Sequence, residues 1–442
     1  MTRGHGETEL RARVAELQAE VERMRAARSY RLATAVHRGT AAVRSQAIAA
    51  WRSVHPSSTS HGQDGDAAIE RLRGAEFPRV LVVYNNFPAH DRGAGDLRMA
   101  WILRLLRSLN CHVTLFPVQQ AVRGPHYAAE LERVGVEVCI GSRSFGEFAA
   151  ARAGLYDIAL LSQPHVAAPV IEEVRRSFPE ATLVYDTVDL HFRRMARRAE
   201  VFGEREQLDG AYAQELDCIR RSDLTATVTE IEAEVVRSLV PTASTVVLPT
   251  IHEPDEAQRQ RFEATADLLF IGGFLHEPNI DAVCYFLREI FPLVTAEIET
   301  RLWVIGEEPP EEIRAFQSPS VIVTGYVPRV EEYFRRARVF VSPLRYGAGM
   351  KGKNGHAMAF GLPLVTTSIG AEGMDLADGE HALIRDGAEA FAGGIVALYN
   401  DPMLWERLST RSQQRVRERW SPDAIRPRLE ELVTTAARRS RR

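Results

Sequence analysis

From Arg79 onward, short apolar runs typical of buried strands alternate with longer amphipathic stretches of helical period. Because parallel strands need a long crossover between them, such alternation predicts parallel sheets with helices on both faces. The first series has predicted strands at 80–84, 111–116, 136–140, 157–161, 182–185 and 224–228. The second series has predicted strands at 268–271, 302–305, 321–324, 339–341 and 364–366. The sequence therefore predicts two doubly wound α/β units.

A charged, proline-containing stretch at 247–261 separates the two series and fits a hinge. The predicted Rossmann-like domains then cover 78–250 and 251–420, and each has an ordinary domain size. Two such domains in tandem face a cleft, and ligands bind such sheets at the carboxyl ends of the strands. A last predicted helix and a basic tail occupy 421–442.

The N-terminal extension at 1–28 predicts a short coiled coil. Its apolar residues recur with spacings of four and three, as at the a and d positions of a heptad, at Leu10, Val14, Leu17, Val21 and Met24. The pattern covers only about two heptads, so an isolated amphipathic helix is the alternative. The coiled coil carries the expectation that the chain self-associates through 10–24.

The following segment at 29–77 is predicted to be a basic helix and a polar linker. From Arg23 to Gln63 the chain has seven arginines and no acidic residue, and Trp51 falls on the apolar stripe of the helix. A basic amphipathic helix with tryptophan favours peripheral contact with an anionic membrane through 23–52. Packing of this helix on the main body is the alternative.

Other features of the sequence favour a cytoplasmic protein, or one peripheral at the inner face of the cell membrane. No run of about 18 apolar residues is present to span a bilayer, and the charged N-terminus lacks the apolar core of a signal peptide. The four cysteines are far apart, as expected for reduced thiols. The net charge of −4 gives no argument for a nucleic-acid partner.

Lysine is almost absent from the chain, and its two occurrences stand together. Of 55 basic residues, only Lys351 and Lys353 are lysines. Lysine is a compact charge on a flexible stem, whereas arginine is a planar fork. A site that needs the compact charge would keep lysine in an arginine-rich chain, and chance proximity is the alternative.

The lysines lie in a glycine-rich stretch at 342–353, between a predicted strand and a predicted helix. Gly347, Gly349 and Gly352 let backbone N–H groups approach an anion, and the helix N-terminus adds positive potential. Together with the lysines and Arg345, they predict a site for a diphosphate leaving group. The glycines also match G-x-G-x-x-G, but a dinucleotide fingerprint opens the first strand–helix unit of a domain, so NAD is disfavoured.

Two further loops of the second domain follow predicted strands. Gly272 and Gly273 permit close approach of a ligand, and the next helix carries Asn279. Tyr326 follows the strand at 321–324 and could flank a base or a ribose. A plain tight turn is the alternative for both loops.

The first domain offers two polar loops and no metal site. Asp91, Arg92 and Gly95 follow its first strand, and Asp186, Asp189 and His191 follow a later one. Two carboxylates and a histidine at a strand end could bind sugar hydroxyls or transfer protons, although a structural histidine is the common alternative. The acidic pair in 64–66 lies in a polar linker without a preceding strand, so no metal is predicted.

Several ordered stretches resemble the GT-B fold glycosyltransferases, specifically the family-four-like (group 1) bacterial enzymes of surface polysaccharide synthesis. Those of the second half are 268–274, 278–282, 323–328, 342–353 and 361–373, and those of the first half are 91–99 and 185–192. The resemblance implies a metal-independent, retaining hexosyl- or deoxyhexosyltransferase. Its donor would be a nucleotide-diphosphate sugar, and its acceptor a glycan or a lipid-linked glycan.

The resemblance also assigns roles to individual residues. Asp189 and His191 would face the reacting sugar, and Asp91, Arg92, Gly95 and Asp186 would hold the acceptor. Donor-binding residues would be Gly272, Gly273, Asn279, Tyr326, Arg345, Gly347, Gly349, Lys351, Lys353, His356 and Glu372.

One position departs from the family pattern. The family carries a glutamate for donor hydroxyls after the lysines, where His356 stands here, and Ala348 replaces the partner glutamate. Histidine can still exchange a hydrogen bond with a hydroxyl. The alternatives are a catalytically degenerate scaffold that binds a sugar nucleotide or glycan, and a nucleotide-sugar epimerase of GT-B fold.

Overall fold

A computed structural model describes residues 63–75, 78–119, 125–140, 144–203, 208–257 and 261–440. The predicted coiled coil at 1–28, the self-association through 10–24 and the membrane contact through 23–52 lie outside these residues. No helix among the described residues is long and apolar enough to cross a bilayer. The four cysteines carry free thiols.

The first sheet has seven parallel strands in the order β3-β2-β1-β4-β5-β6-β7. Its strands are β1 Arg79–Tyr84, β2 His112–Pro117, β3 Glu137–Val138, β4 Ile158–Ser162, β5 Thr182–Asp186, β6 Leu224–Thr227 and β7 Thr245–Val247. Alternate residues of β1 enter different cores: Leu81 and Val83 join one cluster, and Val80 and Val82 join the other. Helices therefore cover both faces, as the apolar runs of the sequence predicted.

The helices of the first domain surround this sheet. They are α1 Gln63–Arg73, α2 Ala94–Ser108, α3 Pro125–Arg133, α4 Phe145–Ala151, α5 Pro164–Ala167, α6 Ile171–Ser177, α7 His191–Phe202, α8 Leu208–Arg220 and α9 Glu230–Leu239. Helix α7 begins at His191, immediately after the loop that follows β5, and therefore places that histidine at the carboxyl edge of the sheet.

The second sheet has six parallel strands in the order β10-β9-β8-β11-β12-β13. Its strands are β8 Leu268–Ile271, β9 Leu302–Ile305, β10 Val321–Gly325, β11 Val339–Ser342, β12 Leu364–Thr366 and β13 Leu383–Ile384. Leu268 and Phe270 point into one core, and Leu269 points into the other. This sheet, too, is covered on both faces.

Shorter helices connect these strands, and three longer helices follow the last one. They are α10 Glu277–Tyr285, α11 Phe291–Thr295, α12 Glu311–Arg314, α13 Glu331–Arg336, α14 Gly352–Ala359, α15 Ser368–Ala371, α16 Ala388–Asn400, α17 Pro402–Arg419 and α18 Pro422–Ser440. A π-helical turn at Phe286–Ile290 joins α10 to α11. The helical region at 277–295 is thus continuous but irregular.

The last helix, α18, packs on the first domain. Ile425, Leu429 and Leu432 belong to the cluster that contains β1 and α2, and the Thr182 hydroxyl donates to the Ala436 carbonyl at 2.7 Å. Pro427 lies inside the helix without ending it. Residues 66–119 and 126–442 form one compact unit, so contacts between the two sheets' domains are described together.

The order of the strands in each sheet determines where the candidate loops lie. In the first sheet β1 lies between β2 and β4, and in the second sheet β8 lies between β9 and β11. Strand order reverses at such points, which opens a crevice beyond the carboxyl ends of the central strands. The loops after β1, β8 and β11 start there, and they are the loops that carry Asp91, Gly272 and Lys351.

Candidate active site

The loop after β11 folds around its glycines and one buried lysine. Gly349 has a φ of 63° and Gly347 a φ of 155°, and only glycine adopts such backbone angles without strain. Lys351 is only 7% exposed, and its Nζ donates to the Gly349 carbonyl at 2.7 Å. Burial lowers the pKa of Lys351 to about 8. The loop therefore holds a cationic group whose own charge is poorly solvated.

The second lysine joins this loop to the loop after β8. Lys353 Nζ donates to Asn279 Oδ1, and Asn279 Nδ2 donates to the Gly273 carbonyl at 2.7 Å. A Cβ on Gly272 would lie 2.7 Å from Asn279 Nδ2, so that position accepts only glycine without rearrangement. Burial and the charge of Lys351 lower the pKa of Lys353 to about 7. The structure thus brings together four residues that were predicted from separate motifs.

In the first domain, the loop after β5 presents a carboxylate beside a histidine. His191 Nε2 lies 3.1 Å from Asp189 Oδ1, and Arg194 pairs with the other carboxylate oxygen. Although burial opposes ionisation, Arg194 and His191 hold the pKa of Asp189 well below its usual range. The preceding Val188 has a φ of 62°, a strained conformation for a β-branched residue.

The two halves of the site meet directly. A Cβ on Gly349 would lie 2.8 Å from the Asp189 Cβ and 3.3 Å from the Val188 carbonyl oxygen. A Cβ on Gly352 would lie 2.2 Å from the Ala94 Cβ, next to Gly95 at the start of α2. Glycine at these two positions therefore lets the loop at 342–353, called the lysine loop below, approach the predicted catalytic residues Asp189 and His191.

A second group of predicted residues also meets across the domains. The Tyr326 hydroxyl donates to Asp91 Oδ2 at 2.7 Å, and the Arg92 guanidinium lies 4.2 Å from the centre of the Tyr326 ring. Arg92 also pairs with Glu307 at 2.8 Å, and the Tyr127 hydroxyl donates to Asp91 Oδ1 at 2.5 Å. The loop after β1 is thereby held against the second domain.

Asp186 has a structural role that differs from the predicted one. Its side chain is completely buried, and both oxygens accept from Arg98, at 2.8 Å each. Ser162 also donates to it at 2.8 Å. Because a buried, fully paired carboxylate cannot receive an acceptor sugar, the assignment of Asp186 to acceptor binding is corrected.

Arg345 and His356 have partners outside the network of the two lysines. Arg345 pairs with Asp281, with Nε 3.0 Å from Oδ2. The His356 ring lies 4.7 Å from the Phe334 ring and 5.5 Å from the Phe360 ring. Burial lowers the pKa of His356 to about 4, so the ring is neutral at pH 7. Their assignment to donor binding stays a prediction.

Helix α7 contributes arginines that sequence reasoning missed. Arg193 Nη2 lies 2.7 Å from Glu372 Oε1. Arg197 contacts both oxygens of Glu372, at 2.5 and 2.8 Å, and donates to the Gly347 carbonyl at 2.7 Å. Basic residues oppose the dipole at a helix N-terminus, so four arginines within the first eight residues of α7 were a signal of another role.

Two buried glutamates hold the start of α7 and were also missed. Glu232 Oε1 accepts from the Leu190 N–H, and Glu215 Oε2 accepts from the Phe192 N–H, both at 3.0 Å. The other oxygen of Glu232 is buried without a hydrogen-bond partner. Burial raises the pKa of each glutamate to about 7. These carboxylates position the backbone on either side of His191.

Among the described residues, no group of three or more histidine, cysteine or acidic side chains is arranged to hold a metal ion. The prediction that no metal takes part is not tested by this observation.

Part of the second domain is similar to a known protein family. Residues 265–401 match the model of the family described as glycosyl transferases group 1. A Klebsiella pneumoniae protein, described as an uncharacterized 44.6 kDa protein in the cps region, is 26% identical over 140 residues. That alignment covers 29% of this chain and 36% of the relative's length.

Solved structures of low sequence identity share the two-domain fold. Sucrose-phosphate synthase from Thermosynechococcus elongatus has a TM-score of 0.62 at 15% identity, over 81% of this chain and 99% of that one. The Anabaena protein HepE, solved in complex with UDP-glucose, has a TM-score of 0.62 at 13% identity over the same shares. The chain thus has the GT-B fold, and its residues 265–401 match the model of the glycosyl transferases group 1 family.

Proposed function

We propose that the protein is a glycosyltransferase that moves a sugar from a nucleoside-diphosphate sugar to a glycan or a lipid-linked glycan. The observation that carries the proposal is the position of Lys351 and Lys353. Both lie in the glycine-rich loop at the crevice of the second sheet, and Gly349 of that loop packs on Asp189 of the first domain. The arrangement would place a leaving diphosphate beside a carboxylate–histidine pair.

Each part of this site has a chemical task in the transfer. The two lysines would neutralise the charge that develops on the leaving diphosphate, which needs no metal in this scheme. Asp189, kept ionised by Arg194, would face the positive charge that develops on the reacting sugar ring, together with His191. The transfer proceeds with retention in this proposal, and Asp91, Arg92 and Gly95 are proposed to hold the acceptor.

The comparisons support the donor class and the context. The Anabaena neighbour was solved with UDP-glucose, so UDP is the first nucleotide to test. The Klebsiella pneumoniae relative is described from the cps region, which favours a surface polysaccharide as the acceptor. Membrane contact through 23–52 and self-association through 10–24 remain part of the proposal.

The test is nucleotide binding followed by turnover. Thermal shifts with UDP, GDP, ADP and dTDP should single out one nucleotide, because a ligand that binds the native state raises the melting temperature. Lys351→Ala and Lys353→Ala should each abolish that shift. Arg237→Ala is the matched control, because it removes one positive charge from an exposed pair with Glu230. Equal shifts in wild type and both lysine variants would contradict the role of the lysines.

One observation favours a second candidate, a protein that binds a sugar nucleotide or glycan without transferring it. His356 stands where the family has a donor-binding glutamate, and here its ring packs against Phe334 and Phe360. This candidate predicts nucleotide binding without release of nucleotide from any donor–acceptor pair. Release above background would exclude it, and donor conversion without acceptor would indicate an epimerase instead.

A further inference from the structure

Arg193 and Arg197 lie on one face of α7, since residues four apart on a helix are neighbours. Their guanidinium groups converge on Glu372, which belongs to the other domain and follows α15. All three side chains are at most 20% exposed. Arg197 also donates to the carbonyl of Gly347 in the lysine loop, so the α7 arginines reach the edge of the proposed diphosphate site.

Positive charge exceeds negative charge around this contact. Glu372 is under the influence of Arg193, Arg197 and Lys351 together. The wider group comprises five cations, Arg193, Arg194, Arg197, Lys351 and Lys353, and five carboxylates, Asp189, Glu200, Glu215, Glu232 and Glu372. The excess is therefore local: at Glu372 itself, two guanidinium groups share one carboxylate.

Poorly solvated charge of one sign is costly unless it is compensated. A domain-to-domain contact would need a single arginine for the one carboxylate of Glu372. Two guanidinium groups that converge on one point instead match an anion larger than a single carboxylate, and the planar guanidinium fork suits phosphate oxygens.

We propose that Arg193 and Arg197, which belong to the first domain, bind the diphosphate. In this structure the Glu372 carboxylate occupies the position of that anion. Diphosphate and Glu372 then compete for the same two guanidinium groups. On binding, Glu372 is released toward the hydroxyl groups of the donor. This inference rests on the proposed function for the identity of the anion, since nucleoside diphosphates are the predicted ligands.

If diphosphate and Glu372 compete for the arginines, substituting the arginines and substituting Glu372 should change the affinity for pyrophosphate in opposite directions. A contact that only joins the two domains predicts no such difference. Inorganic pyrophosphate is the direct probe, because it has no hydroxyl groups for Glu372 to bind. By isothermal titration calorimetry, Arg193→Gln and Arg197→Gln should each weaken pyrophosphate binding about tenfold or more. Glu372→Gln should strengthen it, by several fold, because the arginines are no longer held by a carboxylate.

Two further variants separate the loss of a specific contact from a general loss of positive charge or of folding. Arg237→Gln removes an exposed arginine that pairs with Glu230, and should leave pyrophosphate binding unchanged. Arg197→Lys keeps the charge without the fork and should give an intermediate affinity if Arg197→Gln fails to fold. The proposal is overturned if Glu372→Gln weakens binding as the arginine variants do, or if the arginine variants bind normally.

Parallel titrations with UDP, GDP, ADP and dTDP distinguish this inference from the proposed function. Wild-type binding of one nucleotide that the arginine variants retain would overturn the inference and leave the proposed function standing. Opposite effects on pyrophosphate, with no nucleoside diphosphate bound by wild type, would support the anion site and overturn the nucleotide-sugar proposal. Absence of binding by either ligand class would overturn both.

Discussion

Gly349 lies directly against Asp189: a Cβ on this glycine would be 2.8 Å from the Cβ of the aspartate. The two residues belong to different domains and are separated by the whole hinge and most of the second sheet. The lysine loop can lie this close to the first domain because glycine has no Cβ at position 349.

Gly349→Ala should therefore prevent this approach. The added methyl group meets the Asp189 Cβ and the Val188 carbonyl, and alanine is strained at a φ of 63°. We expect turnover to fall by at least tenfold, with a loss of about 1–2 kcal/mol in the free energy of unfolding. Gly379→Ala is the matched control, because Gly379 has a φ of 71° with nothing within 4 Å. Equal activity losses in both variants would refute the contact's role.

Nucleoside diphosphate binding should weaken as pH rises from about 7 to 9. The lowered pKa values of Lys353 and Lys351, about 7 and 8, mean that both lose their charge in this window. His276, which faces Lys353, has a pKa lowered to about 4 and stays neutral, whereas Glu232 ionises near pH 7 and adds to the loss. A bound diphosphate stabilises the protonated lysines, so binding takes up protons.

Calorimetry in two buffers of different ionisation enthalpy at pH 8 measures this uptake. Lys353→Arg should reduce it, because arginine stays protonated at this pH. The same lowered pKa values make the unfolded chain bind more protons than the native one between pH 7 and 10. The two lysines should thus make the free energy of unfolding rise with pH in that range. Identical proton uptake in wild type and Lys353→Arg would contradict the assignment.

Asp186→Ala should destabilise the fold rather than alter acceptor binding alone. It leaves Arg98 buried with its carboxylate partner removed, and breaking one half of a buried ion pair costs about 3–5 kcal/mol. Urea unfolding measures the loss. Asp378→Ala, which breaks the half-exposed pair with Arg385, should cost less than about 1 kcal/mol. Normal stability in Asp186→Ala would contradict the structural role of this ion pair.

Glu232→Gln should flatten the dependence of stability on pH. Burial raises the pKa of Glu232 in the native state from 4.5 to about 7, so the native state binds more protons than the unfolded chain between these values. Its contribution to stability is therefore complete below pH 4.5 and is lost as pH rises through 7. We expect wild type to lose about 1–3 kcal/mol more than the variant between pH 5 and 8. Parallel urea-unfolding profiles for the two proteins would argue against a raised pKa.

The fold was accessible to sequence reasoning because its signals are local. Each apolar run such as 80–84 or 268–271 contains a strand whose ends lie within one or two residues of the predicted ones. The strands that were missed, β7 Thr245–Val247 and β13 Leu383–Ile384, are only three and two residues long. A segment that short carries no period of its own, and its strand conformation comes from the neighbour with which it pairs.

The grouping of the two lysines with glycines at a helix start was predictable for a similar reason. Glycines, lysines and the helix start lie within one stretch at 342–353, and chemistry that is built from a single loop is visible in sequence. The partners of that loop were not visible. Arg197 and Glu372 are 175 positions apart, and their ion pair exists only because α7 and the loop after α15 meet across the domains.

The sequence by itself thus determined the two parallel sheets, the loops at their carboxyl ends and the cationic character of one of those loops. Tertiary structure alone decided which charges meet. Asp186 and Asp189 lie three residues apart, yet the first is buried against Arg98 and the second stands beside His191. Local pattern sets the conformation of a segment, but burial and ionic partners depend on elements that are distant along the chain, and these decide what each carboxylate can do.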